Sequence, residues 1–501
     1  MAEPVGKLAE RLALLSGSRR AMAVLALAAA ALGIASALYH DWGSDPTIRG
    51  EDALEHAVMA RRLAQGEGFT TGVIYPVELR LGVGAAHPAV RQPPLWPLVL
   101  AGPFAVFGAK AQVAHAVSVA VFGLLVAAAA ALAAARGGLV AGGIAALAVA
   151  TTPSNLNLAL EPVSATLFGF TIALALWLCA AGAPALWVGI ACGLAYLTRY
   201  TGALLLPAAL ALVFARKREA RAAAWCFAGF LLVAVPWWIR NWIVAGDPFY
   251  TLQSLVLFMP AGPPAPGTGP LFDPDGSLLP IEAASPMVKL RTYLPYLLSS
   301  FPFANANLAA CAGVVLGCLR RDAYCGVLAG VAAVALLVSA TMGPLGAPVA
   351  PLFPAMIALG AGIWMQHGRG LRVLAITLLL IAPLLPGWPA ETRDLHTLRH
   401  LREFLRDPIM SGKPAAAPVG CLDGRPIVIA QDAPRVAWQT DAIALYAPSA
   451  EPAFWKIVEE QKVAFAQLTS LGTIPADHFG AQFSPRPDCA PDLFERRREP
   501  H

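Results

Sequence analysis

The sequence predicts a multi-pass α-helical membrane protein followed by a small α/β domain outside the membrane. Of its 501 residues, 57% are hydrophobic and only 13% are charged, about half the charged fraction of a typical soluble protein. Apolar stretches that approach the thickness of a bilayer recur up to residue 388 and then stop. We therefore predict a membrane module over residues 1–388 and an external soluble domain over residues 389–501.

The positions of the basic residues predict how the chain is threaded, because Lys and Arg are enriched in cytoplasmic loops. Four basic residues lie among the first 20, so the N-terminus is expected in the cytoplasm. The first apolar stretch is followed by His40 and Asp41 rather than by a small-residue cleavage site, which favours an anchor over a removable signal peptide. The cluster of basic residues at 216–221 is expected on the cytoplasmic side as well.

About 11 transmembrane helices are expected from this threading. The stretch 93–107 is left out because it is short and contains four prolines, which favours an interfacial or re-entrant segment. The expected spans are 21–38, 111–135, 138–152, 161–182, 184–198, 201–215, 222–244, 298–318, 325–341, 347–365 and 371–388. They place the loops 39–92 and 246–294 and the C-terminal domain outside, on the periplasmic face of a bacterial inner membrane.

Three features of the external regions remain open at this level. The loop 246–294 is rich in Pro and Gly, so it is either a lid over an active site or a linker. In the C-terminal domain, residues 427–430 and 436–446 are predicted to be strands. Cys421 and Cys489 both lie in this domain, where an oxidising compartment would allow them to form a disulfide.

The external loop 39–92 contains a segment predicted to form an amphipathic helix on the membrane surface. Apolar residues recur at helical spacing from residue 51, and Gly66 ends the pattern. Glu51 and Asp52 begin this helix, where negative charge complements the positive end of the helix dipole. That structural role alone would account for both carboxylates, so catalysis needs a second argument.

Further polar side chains interrupt the apolar stretches at the ends that the threading places outside. They are Glu161, Arg199, Tyr200, Arg240 and Asn241. Each has a structural explanation, such as an interfacial aromatic, a snorkelling arginine or an ion pair between helices. Together they suit the transfer of a sugar from a polyprenyl phosphate. Arg199 and Arg240 would bind the departing phosphate, and Asp52 would accept the proton of the attacking hydroxyl.

An ordered set of short motifs strengthens this interpretation. In chain order they are Glu51-Asp52, Gly66-Glu67-Gly68-Phe69, Arg91-Gln92-Pro93-Pro94-Leu95-Trp96-Pro97, Glu161-Pro162, Leu197-Thr198-Arg199-Tyr200-Thr201-Gly202 and Pro236-Trp237-Trp238-Ile239-Arg240-Asn241. The set resembles the GT-C glycosyltransferases, in particular those similar to protein mannosyltransferases and lipid A aminoarabinose transferases. The resemblance covers residues 20–250, with a weaker similarity at Val436-Ala437-Trp438.

The resemblance implies a membrane module of GT-C type and an inverting transfer from a polyprenyl-phosphate sugar, with the first-loop aspartate as base. Asp52 is the matching position, and Glu51 competes with it because many relatives have the acidic pair in the opposite order. The candidate substrate-binding residues on these motifs and on the external loop are Arg61, His87, Arg91, Gln92, Glu161, Tyr200 and Asn241. The acceptor implied is a lipid, a glycan or a protein, and neither the sugar nor the acceptor is specified.

Metal-independent chemistry is favoured, since arginines can balance the phosphate charge, although a divalent metal could bind. His56, Glu78 and His87 share the external loop with Asp52, but without a fixed ligand spacing. Apart from the donor and the acceptor, membrane lipids are the expected partners, and the scattered basic residues do not favour nucleic acid. Two other functions stay open, a membrane transporter and a non-catalytic scaffold whose external domain binds a partner.

Overall fold

The protein is described by a computed structural model over residues 18–40, 47–48, 50–251, 291, 307–342, 350–381, 422, 424–448, 450–469, 471 and 474–497. Most of the loop 246–294 lies outside these residues, as does Cys421. The structure therefore does not test whether that loop is a lid or a linker.

The helices follow the predicted apolar stretches closely. In chain order they are α1 Arg19–His40, α2 Glu51–Ala64, α3 Leu95–Phe107, α4 Ala111–Thr151, α5 Pro153–Leu160, α6 Ser164–Ala181, α7 Ala185–Thr198, α8 Leu205–Lys217, α9 Ala220–Ala245, α10 Asn307–Leu319, α11 Ala323–Met342, α12 Phe353–Trp364 and α13 Arg369–Ile381. Three 3₁₀ helices, Pro76–Leu81, Tyr200–Leu204 and Ala350–Leu352, lie between them in the described part of the chain.

The chain is a multi-pass membrane protein. Among the described residues, five helical segments are long and apolar enough to cross a bilayer, and six shorter apolar helices accompany them. The five are Arg19–His40, Ala111–Thr151, Ser164–Ala181, Tyr200–Lys217 and Ala220–Ala245. The total of 11 crossings remains a prediction. The segment expected to be interfacial or re-entrant is the 13-residue helix α3, which has Pro103 inside it.

Helix α4 is two helices joined at Gly138, whose φ of 81° and ψ of 177° are not helical. The chain reverses there. A methyl group on Gly142 would lie 2.9 Å from the carbonyl oxygen of Ala130, whereas twelve residues of straight helix would separate these positions by about 18 Å. The stretches 111–135 and 138–152 are thus two separate segments, as the sequence predicts, and both line the main apolar core of the membrane module.

Close helix contacts bring α7 and α9 side by side. A Cβ on Gly189 of α7 would lie 1.8 Å from the carbonyl oxygen of Cys226, and one on Gly229 of α9 would lie 2.2 Å from that of Leu186. Only glycine allows backbones to approach this closely, and small residues are the usual means of packing helices in membranes. This contact holds α7 directly against α9.

Apart from the membrane helices, the described chain forms a six-stranded sheet. Its strands are β1 Val73–Ile74, β2 Ile427–Ala430, β3 Ile443–Tyr446, β4 Phe465–Gln467, β5 Phe483–Pro485 and β6 Leu493–Arg496. The spatial order is β1-β3-β2-β4-β6-β5. The first four strands in this order are parallel, and β6 pairs antiparallel with both β4 and β5. Strand β1 comes from the first loop, so the sheet joins that loop to the C-terminal region.

Three further helices pack with the sheet, and one of them corrects a prediction. They are α14 Ala433–Thr440, α15 Glu451–Glu460 and α16 Ala476–Gln482. The strand predicted over 427–430 is confirmed, but the one predicted over 436–446 is wrong in its first half, because residues 436–440 belong to α14. Asp432 caps this helix by accepting a hydrogen bond from Arg435 N, and Pro434 lies in its first turn. Both are helix-starting signals.

Candidate functional site

Helix α2 carries the predicted catalytic pair at its first turn. Its buried face, including Ala53, Leu54 and Ala57, packs against Trp96 and Leu100 of α3. This apolar contact fixes the helix on the membrane module and leaves the carboxylates of its first turn accessible. The Asp52 side chain is 52% exposed, so a substrate can reach it.

Two residues of the Arg91-Gln92 motif converge on Asp52. Gln92 Nε2 donates to Asp52 Oδ1 over 3.1 Å, and Arg91 Nη2 lies 3.4 Å from the same oxygen. Arg199 lies close enough for its charge to act on Asp52 as well. Desolvation alone would raise the pKa of Asp52, but Arg91 and Arg199 together with the Gln92 hydrogen bond hold the pKa below its ordinary value.

Glu51 has the opposite electrostatic character. Desolvation, followed by the negative charges of Asp432 and Glu55, raises its pKa to about 7. Asp432 belongs to the C-terminal region, so its effect on Glu51 depends on the tertiary structure. The two neighbouring carboxylates therefore differ in charge state near neutral pH, with Asp52 ionised and Glu51 about half protonated.

Two functional residues were missed by the sequence analysis. Buried Glu55 forms an ion pair with Arg91 and accepts a hydrogen bond from the Tyr75 hydroxyl over 2.8 Å. Arg91 Nη1 donates to the same Tyr75 hydroxyl over 2.6 Å, and its guanidinium lies 4.8 Å from the centre of the Tyr75 ring. Glu55 could have been found, because it lies three residues after Asp52 and so shares its helix face. Tyr75 gave no comparable signal.

The two predicted phosphate-binding arginines lie at the C-terminal ends of two neighbouring helices. Arg199 follows α7 and donates Nε to Ser164 Oγ over 3.1 Å. Arg240 of α9 donates to the carbonyl oxygen of Phe69 over 3.0 Å and to Asn241 Oδ1 over 3.1 Å. Arg199 is thus the one that faces Asp52, whereas Arg240 holds the first loop.

The other candidates in the membrane module border the same region. The Glu161 carboxylate lies at the start of α2, since a Cβ on Gly50 would be 3.7 Å from Glu161 Oε2. The Tyr200 hydroxyl accepts a hydrogen bond from Trp237 Nε1 over 3.2 Å. Asn241 is buried, and its side chain accepts the hydrogen bond from Arg240 described above.

Arg61 and His87 lie away from Asp52. Arg61 donates to the carbonyl oxygens of Ala437 and Trp438 at the end of α14, both over 2.7 Å, and its Nη2 lies 2.8 Å from Asp441 Oδ1. His87 is buried, with Nδ1 against the Gly82 carbonyl oxygen. The structure thus places Arg61 at the interface with the C-terminal region and His87 inside the first loop.

The predicted metal ligands do not form a donor set in the described part of the chain. No group of three or more His, Cys, Asp or Glu side chains suited to a metal occurs there. The His56 ring contacts the Asp52 carbonyl oxygen, and Glu78 Oε2 accepts a hydrogen bond from the backbone of Tyr75. These residues thus form no divalent-ion site in the part of the chain that the structure describes, and metal-independent chemistry stays a prediction.

The cysteines divide between the two regions. Cys179, Cys192, Cys226, Cys311, Cys318 and Cys325 are free, as expected of thiols in membrane helices. Cys489 is disulfide-bonded, and its predicted partner, Cys421, lies outside the described residues.

Several solved structures share this architecture. ArnT from Cupriavidus metallidurans, a lipid A aminoarabinose transferase, bound to undecaprenyl phosphate matches with a TM-score of 0.54 at 14% identity, covering 92% of this chain and 94% of that one. Its apo form matches with a TM-score of 0.55 at 14% identity, covering 94% and 96%. The oligosaccharyltransferase of Archaeoglobus fulgidus in complex with Zn and sulfate matches with a TM-score of 0.55 at 15% identity, covering 88% and 67%.

Comparisons based on sequence give no match: no protein-family profile and no curated protein matches the chain. The likeness thus lies in the tertiary structure. At identities of 14–15% it shows the fold alone: the chain has the fold that these solved structures share.

Proposed function

We propose that this protein is an inverting glycosyltransferase that moves a sugar from a polyprenyl-phosphate donor to an acceptor hydroxyl or amide, with Asp52 as the base. The observation that carries the proposal is the convergence of Arg91, Gln92 and Arg199 on an accessible Asp52 carboxylate. The reaction releases a phosphate anion and a proton from the acceptor, and a carboxylate kept ionised beside cations can accept that proton.

The leaving group is a phosphate that gains negative charge as the glycosidic bond breaks. A cation placed where this charge develops lowers the barrier, and the effect is larger in a site shielded from water. Arg199 has this role because it faces Asp52 from the end of α7 and its guanidinium is oriented by Ser164. Arg240 supports it by holding Phe69 of the first loop against α9.

The acceptor attacks the anomeric carbon from the face opposite to the phosphate. As that carbon takes on positive charge, the attacking group becomes acidic, so a weakly basic carboxylate is sufficient to accept its proton. Asp52 is such a carboxylate. A single displacement of this kind inverts the configuration at the anomeric carbon, and no covalent intermediate with the enzyme is formed.

The donor class is supported by the ligands of structurally similar proteins. The Cupriavidus structure is bound to undecaprenyl phosphate, and a structure of the Archaeoglobus enzyme contains a dolichol-phosphate. Both are long-chain polyprenyl phosphates. The same proteins differ in their acceptors, since one acts on lipid A and the other is seen with peptides. We therefore leave the acceptor of this chain as a lipid, a glycan or a protein.

We place the active site on the external face of a bacterial inner membrane. In α4, Ser118 donates to the carbonyl oxygen of Glu161 at the site, and Arg136, eighteen residues further on, pairs with Asp322. That spacing corresponds to about 27 Å of helix, close to the hydrocarbon thickness of a bilayer, about 30 Å. Arg136 and the basic cluster at 216–221 then mark the cytoplasmic face, as the sequence-based threading expects.

The function is tested by measuring transfer of a radiolabelled sugar from a polyprenyl-phosphate donor to an envelope extract by the purified protein. Asp52→Asn is compared with the wild type, and Asp488→Asn, which changes a 62% exposed aspartate of the C-terminal region, serves as the matched control. We expect Asp52→Asn to abolish detectable transfer and Asp488→Asn to leave it unchanged. Full transfer by Asp52→Asn would remove Asp52 as the base, and no transfer by the wild type from any such donor would favour a transporter or a scaffold.

The orientation is tested separately by labelling with a membrane-impermeant maleimide in intact spheroplasts. Lys462→Cys, in the external domain, should react, whereas Arg221→Cys should react only after the membrane is permeabilised. Both positions are exposed, so accessibility within the protein does not limit the reaction. Labelling of Arg221→Cys in intact spheroplasts would invert the proposed topology.

A further inference from the structure

Tyr446 connects the C-terminal region to the residues around Asp52. Strand β3, which ends at Tyr446, pairs in parallel with β1, with Ile74 opposite Leu445. A tyrosine follows each of these two residues in the chain. The rings of Tyr75 and Tyr446 stack with centroids 4.5 Å apart and an interplanar angle of 27°. Both side chains are buried, so each ring restricts the position of the other.

Tyr75 in turn determines where Arg91 points. Its hydroxyl donates to Glu55 Oε1 over 2.8 Å and accepts from Arg91 Nη1 over 2.6 Å, while its ring lies under the guanidinium. The second terminal nitrogen of Arg91 reaches Asp52. A continuous series of contacts therefore runs from Tyr446 through Tyr75 and Arg91 to Asp52.

We propose that Tyr446 is a positioning residue for the Arg91–Asp52 pair, so that the C-terminal region completes the active site instead of serving only as an attached domain. This inference rests on the proposed function. It adds that the geometry of the base depends on a side chain nearly 400 residues away in the sequence.

A second contact between the C-terminal region and the first loop provides the control. Arg425 Nη2 lies 2.7 Å from Glu67 Oε1, and its Nε lies 2.8 Å from Asp441 Oδ2. This contact attaches the C-terminal region at the far end of α2. It shares none of its described partners with Tyr75, Arg91 or Asp52, so a variant of Arg425 loosens the attachment without altering the stack.

Removing the Tyr446 ring has a specific consequence for the base. Without its stacking partner, the Tyr75 ring can shift into the space left by Tyr446, which displaces the hydroxyl and the ring that orient Arg91. The cation then spends less time beside Asp52, so the pKa of Asp52 rises. Because the base must be ionised, turnover is lost first at low pH.

The test compares Tyr446→Leu, Tyr446→Phe and Arg425→Gln in pH profiles of transfer. For Tyr446→Leu we expect turnover relative to the wild type to be unaffected by pH near pH 8 and to fall as the pH drops below 5, towards a roughly tenfold deficit at pH values below both pKa values, as a rise of about one pKa unit would produce. Tyr446→Phe keeps the stacked ring and loses only the hydroxyl that bonds to Tyr75, so its acid-side shift should be smaller than that of Tyr446→Leu. Arg425→Gln should lower turnover equally at all pH values or not at all. Superimposable profiles for Tyr446→Leu and Arg425→Gln would overturn the inference.

A thermal double-mutant cycle makes the test independent of activity. The change in melting temperature caused by Asp52→Asn should differ between the wild type and the Tyr446→Leu background, because linked residues are not additive. In the Arg425→Gln background, Asp52→Asn should change the melting temperature by the same amount as it does in the wild type. Additivity in both cycles would overturn the positioning role even if transfer requires Asp52. If the Tyr446→Leu cycle is non-additive but the wild-type protein shows no transfer, the contact network is supported and the proposed function is refuted.

Discussion

Lowering the pH from 7 to 5 separates the two carboxylates that begin α2 as candidates for the base. Burial and neighbouring acids raise the pKa of Glu51 to about 7, so if Glu51 were the base its ionised fraction would fall from about one half to about 1% between these values. Turnover would then fall about 50-fold. The pKa of Asp52 is held below its ordinary value by Arg91 and Arg199, against the effect of desolvation. With Asp52 as base, its ionised fraction stays close to one over the same range, so turnover changes little.

The assay is initial-rate transfer of a radiolabelled sugar at saturating donor, from pH 4 to 8, for the wild type, Glu51→Gln and Asp52→Asn. We expect the wild type to keep its rate down to pH 5, and Glu51→Gln to retain transfer with the same acid-side behaviour. The melting temperature is recorded at each pH, so that unfolding is not mistaken for titration. A roughly 50-fold loss in the folded wild type at pH 5, together with loss of transfer by Glu51→Gln at every pH, would refute the assignment of Asp52.

Three further outcomes are expected. Arg199→Gln should lower turnover about 100-fold, as loss of one donor to a developing anion does. Arg240→Gln should lower turnover by a smaller factor in the same transfer assay, because Arg240 already binds Phe69. An equal loss of turnover would contradict the separate roles of Arg199 and Arg240. Gly189→Ala should destabilise the protein by about 3 kcal/mol or more, since its Cβ would lie 1.8 Å from the Cys226 carbonyl oxygen. The control Gly143→Ala, whose Cβ would have no atom within 4 Å, should not lower the melting temperature. Equal melting curves for the two variants would contradict the close packing of α7 and α9. Transfer after chelation by EDTA should stay within about twofold of the untreated rate, and loss restored by Mg²⁺, Mn²⁺ or Zn²⁺ would show that a metal acts.

The membrane helices could be predicted from the sequence because their signal is local. A run of apolar residues must be helical in lipid, where backbone groups can be satisfied only within the segment. The break at Gly138 and the short proline-containing helix α3 also follow from residues at those positions. In the region of the six-stranded sheet the local signals compete. The capping residue and the proline before Val436 make that segment a helix, although its residues suit a strand.

The sequence by itself determined that this chain lies in a membrane, where its helices run, and which acidic and basic residues stand at their ends. Only the tertiary structure decided which of these residues meet. Arg91 and Gln92 reach Asp52, and buried Glu55 joins them, while Arg61 turns to the C-terminal region. Strand β1 also joins strands encoded nearly 400 residues later. The physical reason is that hydropathy and helix capping act over a few residues, whereas ion pairs, strand pairing and shifts in pKa depend on groups that only the folded chain brings within a few ångströms.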